Sequence, residues 1–185
     1  MLSLRTVLFS MCLLVCCVKA PDPALFAPAA NNVVTAPAPT TVTIDAPQDW
    51  AVLDIDQSFY LGKWDLPNGG RATISFLGSN YDAASISMNI DRWMKQWEVP
   101  DSSPEEEREF GVKEIDGVGM YQLVLEGTLT ATAQLGGGDP RENWMLIGAI
   151  MVKDFGPVYL KVMGPSADLE SQVESIYASF AKATF

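Results

Sequence analysis

The sequence predicts an α+β domain, an antiparallel β-sheet of about six or seven strands packed by two α-helices. Three observations predict it. Strand-like segments come in pairs, joined by turns rich in Gly, Asn and Asp, which is how antiparallel neighbours are connected. Two stretches interrupt that pattern with apolar residues at helical spacing. The last pair of strands is apolar with few interruptions, as strands at the centre of a sheet are.

The elements follow in order. Residues 59–66 and 72–77 alternate, and Pro67-Asn68-Gly69-Gly70 between them is turn chemistry, so they form a hairpin. In SISMNIDRWMKQW, Ile86, Ile90, Trp93, Met94 and Trp97 share one face of a helix, while Asp91, Arg92, Lys95 and Gln96 share the other. Ser85 is the expected N-cap, Pro100 the expected stop, and the aromatic stripe is core. Residues 110–115, a turn at Asp116-Gly117, and residues 119–132 read as a second strand pair, in which Tyr121, Leu123 and Leu125 alternate with Gln122, Val124 and Glu126. LGGGDPREN is a loop. Residues 144–153, the turn Asp154-Phe155-Gly156 and residues 158–163 are the central hairpin.

After Gly164-Pro165-Ser166 the period changes again. Leu169, Val173, Ile176, Tyr177 and Phe180 lie on one face of a closing helix, with Ser166 as cap, Asp168 and Glu170 near its positive end and Lys182 near its negative end. Any helix start can attract an anion. This one has a single glycine, no framing lysine and two carboxylates in its first turn, so it reads as a joint and not as a phosphate loop.

The chain divides into three segments. Residues 1–20 have one arginine, then an apolar run over 7–18, then short side chains, which is the plan of a secretory signal peptide. That run falls short of the ~20 residues a membrane span needs, so no transmembrane span is expected in the mature chain. Residues 21–47 hold six of the 12 prolines and form a Pro/Ala-rich disordered linker. Residues 48–185 are one α+β domain, and a hydrophobic content of 48% is enough for it to build a core. No internal repeat is present.

Composition excludes several function classes. The net charge is −11, and removing the signal takes away Arg5 and Lys19 but no carboxylate, so nucleic acid is not an expected partner. The three cysteines, Cys12, Cys16 and Cys17, all lie in the signal segment, and there is no histidine. Ser-His-Asp and Cys-His catalysis, His-ligated zinc and thiol redox chemistry therefore lack their groups. No metal and no cofactor are expected. The run Asp101 to Glu109 is a solvated acidic loop without the spaced oxygen ligands and turn glycine of a calcium loop. LGGGDP lacks the lysine and the strand-to-helix setting of a phosphate nest, and Asp154-Phe155-Gly156 stands without the rest of a kinase signature.

Two sets of residues remain as candidates. Asp54 and Asp56, two apart on an expected strand, would share a face and could act as a carboxylate pair in glycoside hydrolysis; as a structural feature they are the wet side of a strand. Trp50, Trp64 and Trp144 could stack on a sugar or clamp an apolar ligand if two of them lined a cleft, and core packing accounts for them equally well.

The opening Pro47-Gln48-Asp49-Trp50, the hairpin, the helix, the antiparallel strands and VYLKVMGPSADLESQVESIYASF together resemble small extracytoplasmic proteins of the PsbP-like α/β/α fold. In that group a strand ending in a Gly-Pro or Ala-Pro step feeds a last helix that finishes near a Ser-Phe pair, and Ser179-Phe180 matches. Ser87 to Trp93 is similar to a helix of uncharacterised bacterial envelope proteins of this type. The likeness spans residues 46–185 and consists of structural positions. It implies an α/β/α sandwich and, for function, an accessory subunit, regulator or binding protein; no catalytic motif is carried over. The acidic run and the glycine loop depart from the pattern.

The expectation is thus an exported, periplasmic or extracellular module, tethered at its N-terminus by the linker, that is non-enzymatic and binds an envelope protein or a small ligand. The alternatives are a glycan hydrolase using Asp54 and Asp56, and a carrier of an apolar ligand. The sequence does not give an oligomeric state.

Overall fold

The computed structural model describes residues 36–100, 110–130 and 139–185. The signal segment, the linker as far as residue 35, the acidic run Asp101 to Glu109 and the glycines of the LGGGDP loop lie outside the described residues.

Eight strands form one antiparallel sheet: β1 (Ala51–Val52), β2 (Tyr60–Asp65), β3 (Arg71–Phe76), β4 (Trp97–Glu98), β5 (Phe110–Ile115), β6 (Val118–Leu129), β7 (Arg141–Lys153) and β8 (Gly156–Pro165). Their order is β1-β2-β3-β8-β7-β6-β4, with β5 also on the outer side of β6. The expected central hairpin is therefore central, and the sheet exceeds the expected strand count only by two-residue edge strands. The β5–β6 connection carries positive φ at Asp116 (52°) and Gly117 (79°), the primed turn whose twist suits a tight hairpin.

Strand alternation sends the same hairpins to two different cores. Val158, Leu160 and Val162 of β8, with Met145, Ile147, Ala149 and Met151 of β7 and Ala72 and Ile74 of β3, pack under the closing helical segment. Tyr159 and Met163 of β8, Trp144, Leu146 and Ile150 of β7, and Leu123, Leu125 and Leu129 of β6 pack under α1 (Ala83–Met94) on the opposite face. The result is an α/β/α sandwich.

α1 begins one turn before the expected cap. Asp82 is the N-cap, its Oδ1 accepting from the Ser85 amide at 2.7 Å while Ser85 Oγ accepts from the Asp82 amide at 2.9 Å, a reciprocal box that satisfies two exposed donors. Ile86, Ile90 and Trp93 are buried as expected. Met94 is exposed and Trp97 has left the helix: the chain turns at Lys95, and Trp97 enters β4, paired with Leu129. Burial against β6, rather than continuation of the helical stripe, decides the position of that indole.

The closing helix is also interrupted. α2 (Ser166–Leu169) leads through a 3-10 turn over Glu170–Gln172 into α3 (Val173–Ala181). Ser166 does not cap it: Pro165 occupies the N-cap position and Ser166 Oγ is buried with no hydrogen-bond partner. Leu169, Ile176, Tyr177 and Phe180 nevertheless face the sheet as the spacing predicts.

The packed domain begins before residue 48. Val42, Ile44 and Ala46 lie against the α3-side core, Thr43 and Thr184 exchange backbone hydrogen bonds at 2.9 and 3.0 Å, and Ser179 Oγ donates to the Asp45 carbonyl. Apolar alternation at Val42 and Ile44 outweighs the proline content around it. Among the described residues no helix is long and apolar enough to cross a membrane.

Candidate functional site

α1 covers only part of its face. Its apolar stripe sits over β6, β7 and β8, so the neighbouring strip formed by β2, β3 and the near edge of β8 has no helix above it. On β3 the residues pointing to that side are Arg71, Thr73 and Ser75, alternating with buried Ala72 and Ile74. On β8 they are Tyr159, Lys161 and Met163. The register brings them level, with Arg71 opposite Met163, Thr73 opposite Lys161 and Ser75 opposite Tyr159.

β2 contributes through a bulge. Tyr60 pairs with Ser75 and Gly62 with Ile74, so one extra residue lies between them and Tyr60 and Lys63 come to the same face. Lys63 Nζ then stands 5.8 Å from the centre of the Tyr60 ring. Trp64, the next residue, points to the other core, where its ring centre lies 6.3 Å from that of Trp50.

The wall of α1 completes a cleft of about 510 Å³, with Asn89, Arg92 and Trp93 on one side and Phe59 and Leu77 at the rim. That volume is in the range of ~300–1,000 Å³ typical of small-molecule sites. Among the described residues, four cations, Lys63, Arg71, Arg92 and Lys161, line it, against Asp56 as the one carboxylate. In a chain with 12 basic and 23 acidic residues this inverts the overall balance. A concave, partly desolvated wall with an excess of one sign focuses potential.

The charges are held differently. Lys63 Nζ meets Asp56 Oδ1 at 3.0 Å, and that hydrogen bond is the main reason the Asp56 carboxyl lies below its usual range. Arg71 donates through Nε (3.1 Å) and Nη2 (2.8 Å) to Oδ1 of Asp65, its cross-strand partner. On the exposed side of α1, Arg92 Nη2 donates to Asn89 Oδ1 at 2.7 Å, and deeper in Lys161 Nζ donates to Gln96 Oε1 at 2.5 Å. Lys161 is 5% exposed. Burial first, and the like charge of Arg92 second, push its amine down to about 7. Tyr159 stands edge-on to Trp93 with ring centres 6.4 Å apart, and burial raises its phenol.

The sequence candidates are placed as follows. Asp54 and Asp56 lie on the exposed loop between β1 and β2, not on a strand, so the shared-face geometry does not arise; Asp56 borders the cleft and holds Lys63. Trp50, Trp64 and Trp144 are all buried and none lines the cleft. Trp50 and Trp64 belong to the α3-side core, and Trp144 to the α1-side core with the Arg141 guanidinium 4.5 Å above its ring. The cleft cations were not recognisable as a set, since they come from four separate segments. Lys161 carried the one local signal, a lysine inside the apolar strand VYLKVM.

A second concavity, about 530 Å³, runs between residues 36–41 and the β7–β8 turn with Phe155 and Phe185. It is the open gap beside the incoming chain, and among the described residues its charged side chains are Lys153 and Asp154. Among the described residues no cluster of His, Cys, Asp and Glu could hold a metal ion.

This geometry defines a class: a small α/β/α sandwich with one face closed and the other opened by a cation-lined cleft. Comparison with known structures agrees on the fold. The solution structure of cyanobacterial PsbP (CyanoP) from Synechocystis sp. PCC 6803 aligns over 80% of this chain and 94% of its own, with a TM-score of 0.51 and 8% sequence identity. The chain has the PsbP-like fold that its sequence resemblance implies. No family model matches the chain, and no curated protein does.

Proposed function

We propose that the protein is an exported, non-enzymatic accessory or binding module of the cell envelope that takes a small ligand in the cleft between α1 and β2–β3–β8. The observation that carries this reading is the uncovered polar strip itself. Apolar packing under α1 and α3 covers the centre of both sheet faces, whereas here side chains of β2, β3, β8 and α1 converge on an open volume of about 510 Å³.

The signal-like residues 1–20 and the proline-rich segment after them support export on a tether. The absence of histidine from the chain, and of cysteine after position 17, supports binding over nucleophilic catalysis.

The test is to recover the mature protein from its host and analyse it by native mass spectrometry. A retained small mass that is lost when Thr73 and Ser75 are both replaced by Val supports the cleft. A partner protein whose footprint leaves the cleft open to solvent, with no small mass retained, refutes it.

A further inference from the structure

We propose that the ligand of this cleft is a neutral saccharide, a polyhydroxylated ring that sets its apolar face on Phe59 and Tyr60 and its hydroxyls against Thr73, Ser75 and the Lys63–Asp56 pair. This rests on the reading of the cleft as a ligand site and adds the chemical class of its occupant.

The strand register lays out the floor in rows. Tyr60, Ser75 and Tyr159 stand level across β2, β3 and β8, and Lys63, Thr73 and Lys161 form the adjacent row. An aromatic end therefore borders a band of hydroxyl and charged groups. Phe59 carries that end to the rim: it is 39% exposed, and its ring centre lies 4.4 Å from that of Tyr60. Aromatic surface beside hydrogen-bonding groups is the complement of a sugar ring, which has an apolar C–H face and hydroxyls projecting from its edge.

The polar groups of that band suit a diol. The hydroxyls of Thr73 and Ser75, both half-buried on the floor, make no hydrogen bond to another described residue, so each is open to a ligand as donor and acceptor. Beside them Lys63 is joined to Asp56 at 3.0 Å, and Arg71 to Asp65 at 2.8 Å. Their charges are thus already matched on the β2 side of the floor, where the aromatic rim lies; Arg92 and Lys161 belong to α1 and β8, on the other side of β3. An anion placed against Phe59 and Tyr60 would compete with the Asp56 carboxylate for Lys63. Adjacent sugar hydroxyls instead use the pair as it stands, one donating to the carboxylate and the next accepting from the ammonium. A purely apolar ligand would leave the same groups dry and unpaired, which costs it affinity.

The experiment is chemical-shift mapping of the full mature chain, isotope-labelled and titrated with cellobiose, lactose and diacetylchitobiose, and in parallel with sulfate as an anion and octanoate as an apolar ligand. The expected result is a saturable shift of the Tyr60, Thr73 and Ser75 amides with at least one of the disaccharides, about tenfold weaker in Phe59→Ala and in Thr73→Val. Thr73→Ser, which keeps the hydroxyl, should return toward the parent, and Val112→Ala, an exposed control on β5, should bind as the parent does. Phe59 is exposed on a loop, so its variant folds and decides the matter if Thr73→Val does not. No saturable shift with any of the disaccharides, or binding that Phe59→Ala and Thr73→Val leave unchanged, would overturn the inference. The parallel titrations then separate the two readings: if sulfate or octanoate shifts the same amides, the saccharide falls and the cleft stands, whereas no cleft shift with any ligand removes both.

Discussion

The two faces of β8 are made from alternate residues of one ten-residue strand, and they do opposite things. Val158, Leu160 and Val162 meet α3 in a sealed apolar layer, while Tyr159, Lys161 and Met163 pass from beneath α1 into an open cleft. The difference lies less in the strand than in what covers it. Phe180 and Tyr177 reach across the α3 side, and Tyr177 Oη bridges the carbonyls of Leu123 (3.1 Å) and Gly148 (3.3 Å). On the other side Trp93 is drawn down over β7, where Gly148 has no side chain to hold it off: a Cβ there would come within 2.8 Å of the indole. α1 is thereby fixed above β6–β8, and the β2–β3 strip is left uncovered. A one-sided shift of a helix is enough to turn half of a core face into a site.

Several substitutions break or sharpen this contrast. Phe180→Ala opens the sealed face at a fully buried position and should cost about 3–5 kcal/mol, read as a lower midpoint in denaturant. Lys161→Met makes the open face resemble the sealed one. In the parent, Lys161 is protonated in both folded and unfolded chains below pH 7, so the full cost of burying the charge is present there. Between about 7 and 10.5 the folded chain has released the proton and the unfolded chain keeps it, so stability rises with pH across that window. Chemical denaturation at pH 6.5 and 9.5 should show that rise, on the order of 3 kcal/mol, and Lys161→Met should abolish it.

Smaller effects follow. Tyr177→Phe removes a buried hydroxyl with two carbonyl neighbours and should cost about 1–2 kcal/mol without altering cleft binding. Asp82→Ala breaks the capping box of α1, the wall of the cleft, and should lower the denaturant midpoint slightly, with hydrogen exchange rising at the Ser85 amide before the rest of the helix.

Much of the fold was legible because it depends on local period and turn chemistry. The central hairpin, the Asp116-Gly117 turn and the sheet-facing residues of the closing helix follow from alternation and from the apolar spacing. Where those signals were local but tertiary packing decided, they misled. Trp97 continues a helical stripe yet pairs with β6, Ser166 looks like a cap yet is buried at the first helical position, and Val42 and Ile44 sit among prolines yet pack on the core. The cleft was not legible. Lys63, Arg71, Arg92 and Lys161 are far apart in the chain and meet only through the β2 bulge, the β3–β8 register and the lateral position of α1. Asp54 and Asp56 drew attention by their spacing, which loses its meaning on a loop.

The most direct measurement is a crystal structure of the mature domain. The account predicts Trp93 packed against Gly148, α1 seated over β6–β8, and the cleft beside β2 and β3 open to solvent. A structure in which α1 lies over β2 and β3 and that volume is closed would contradict it.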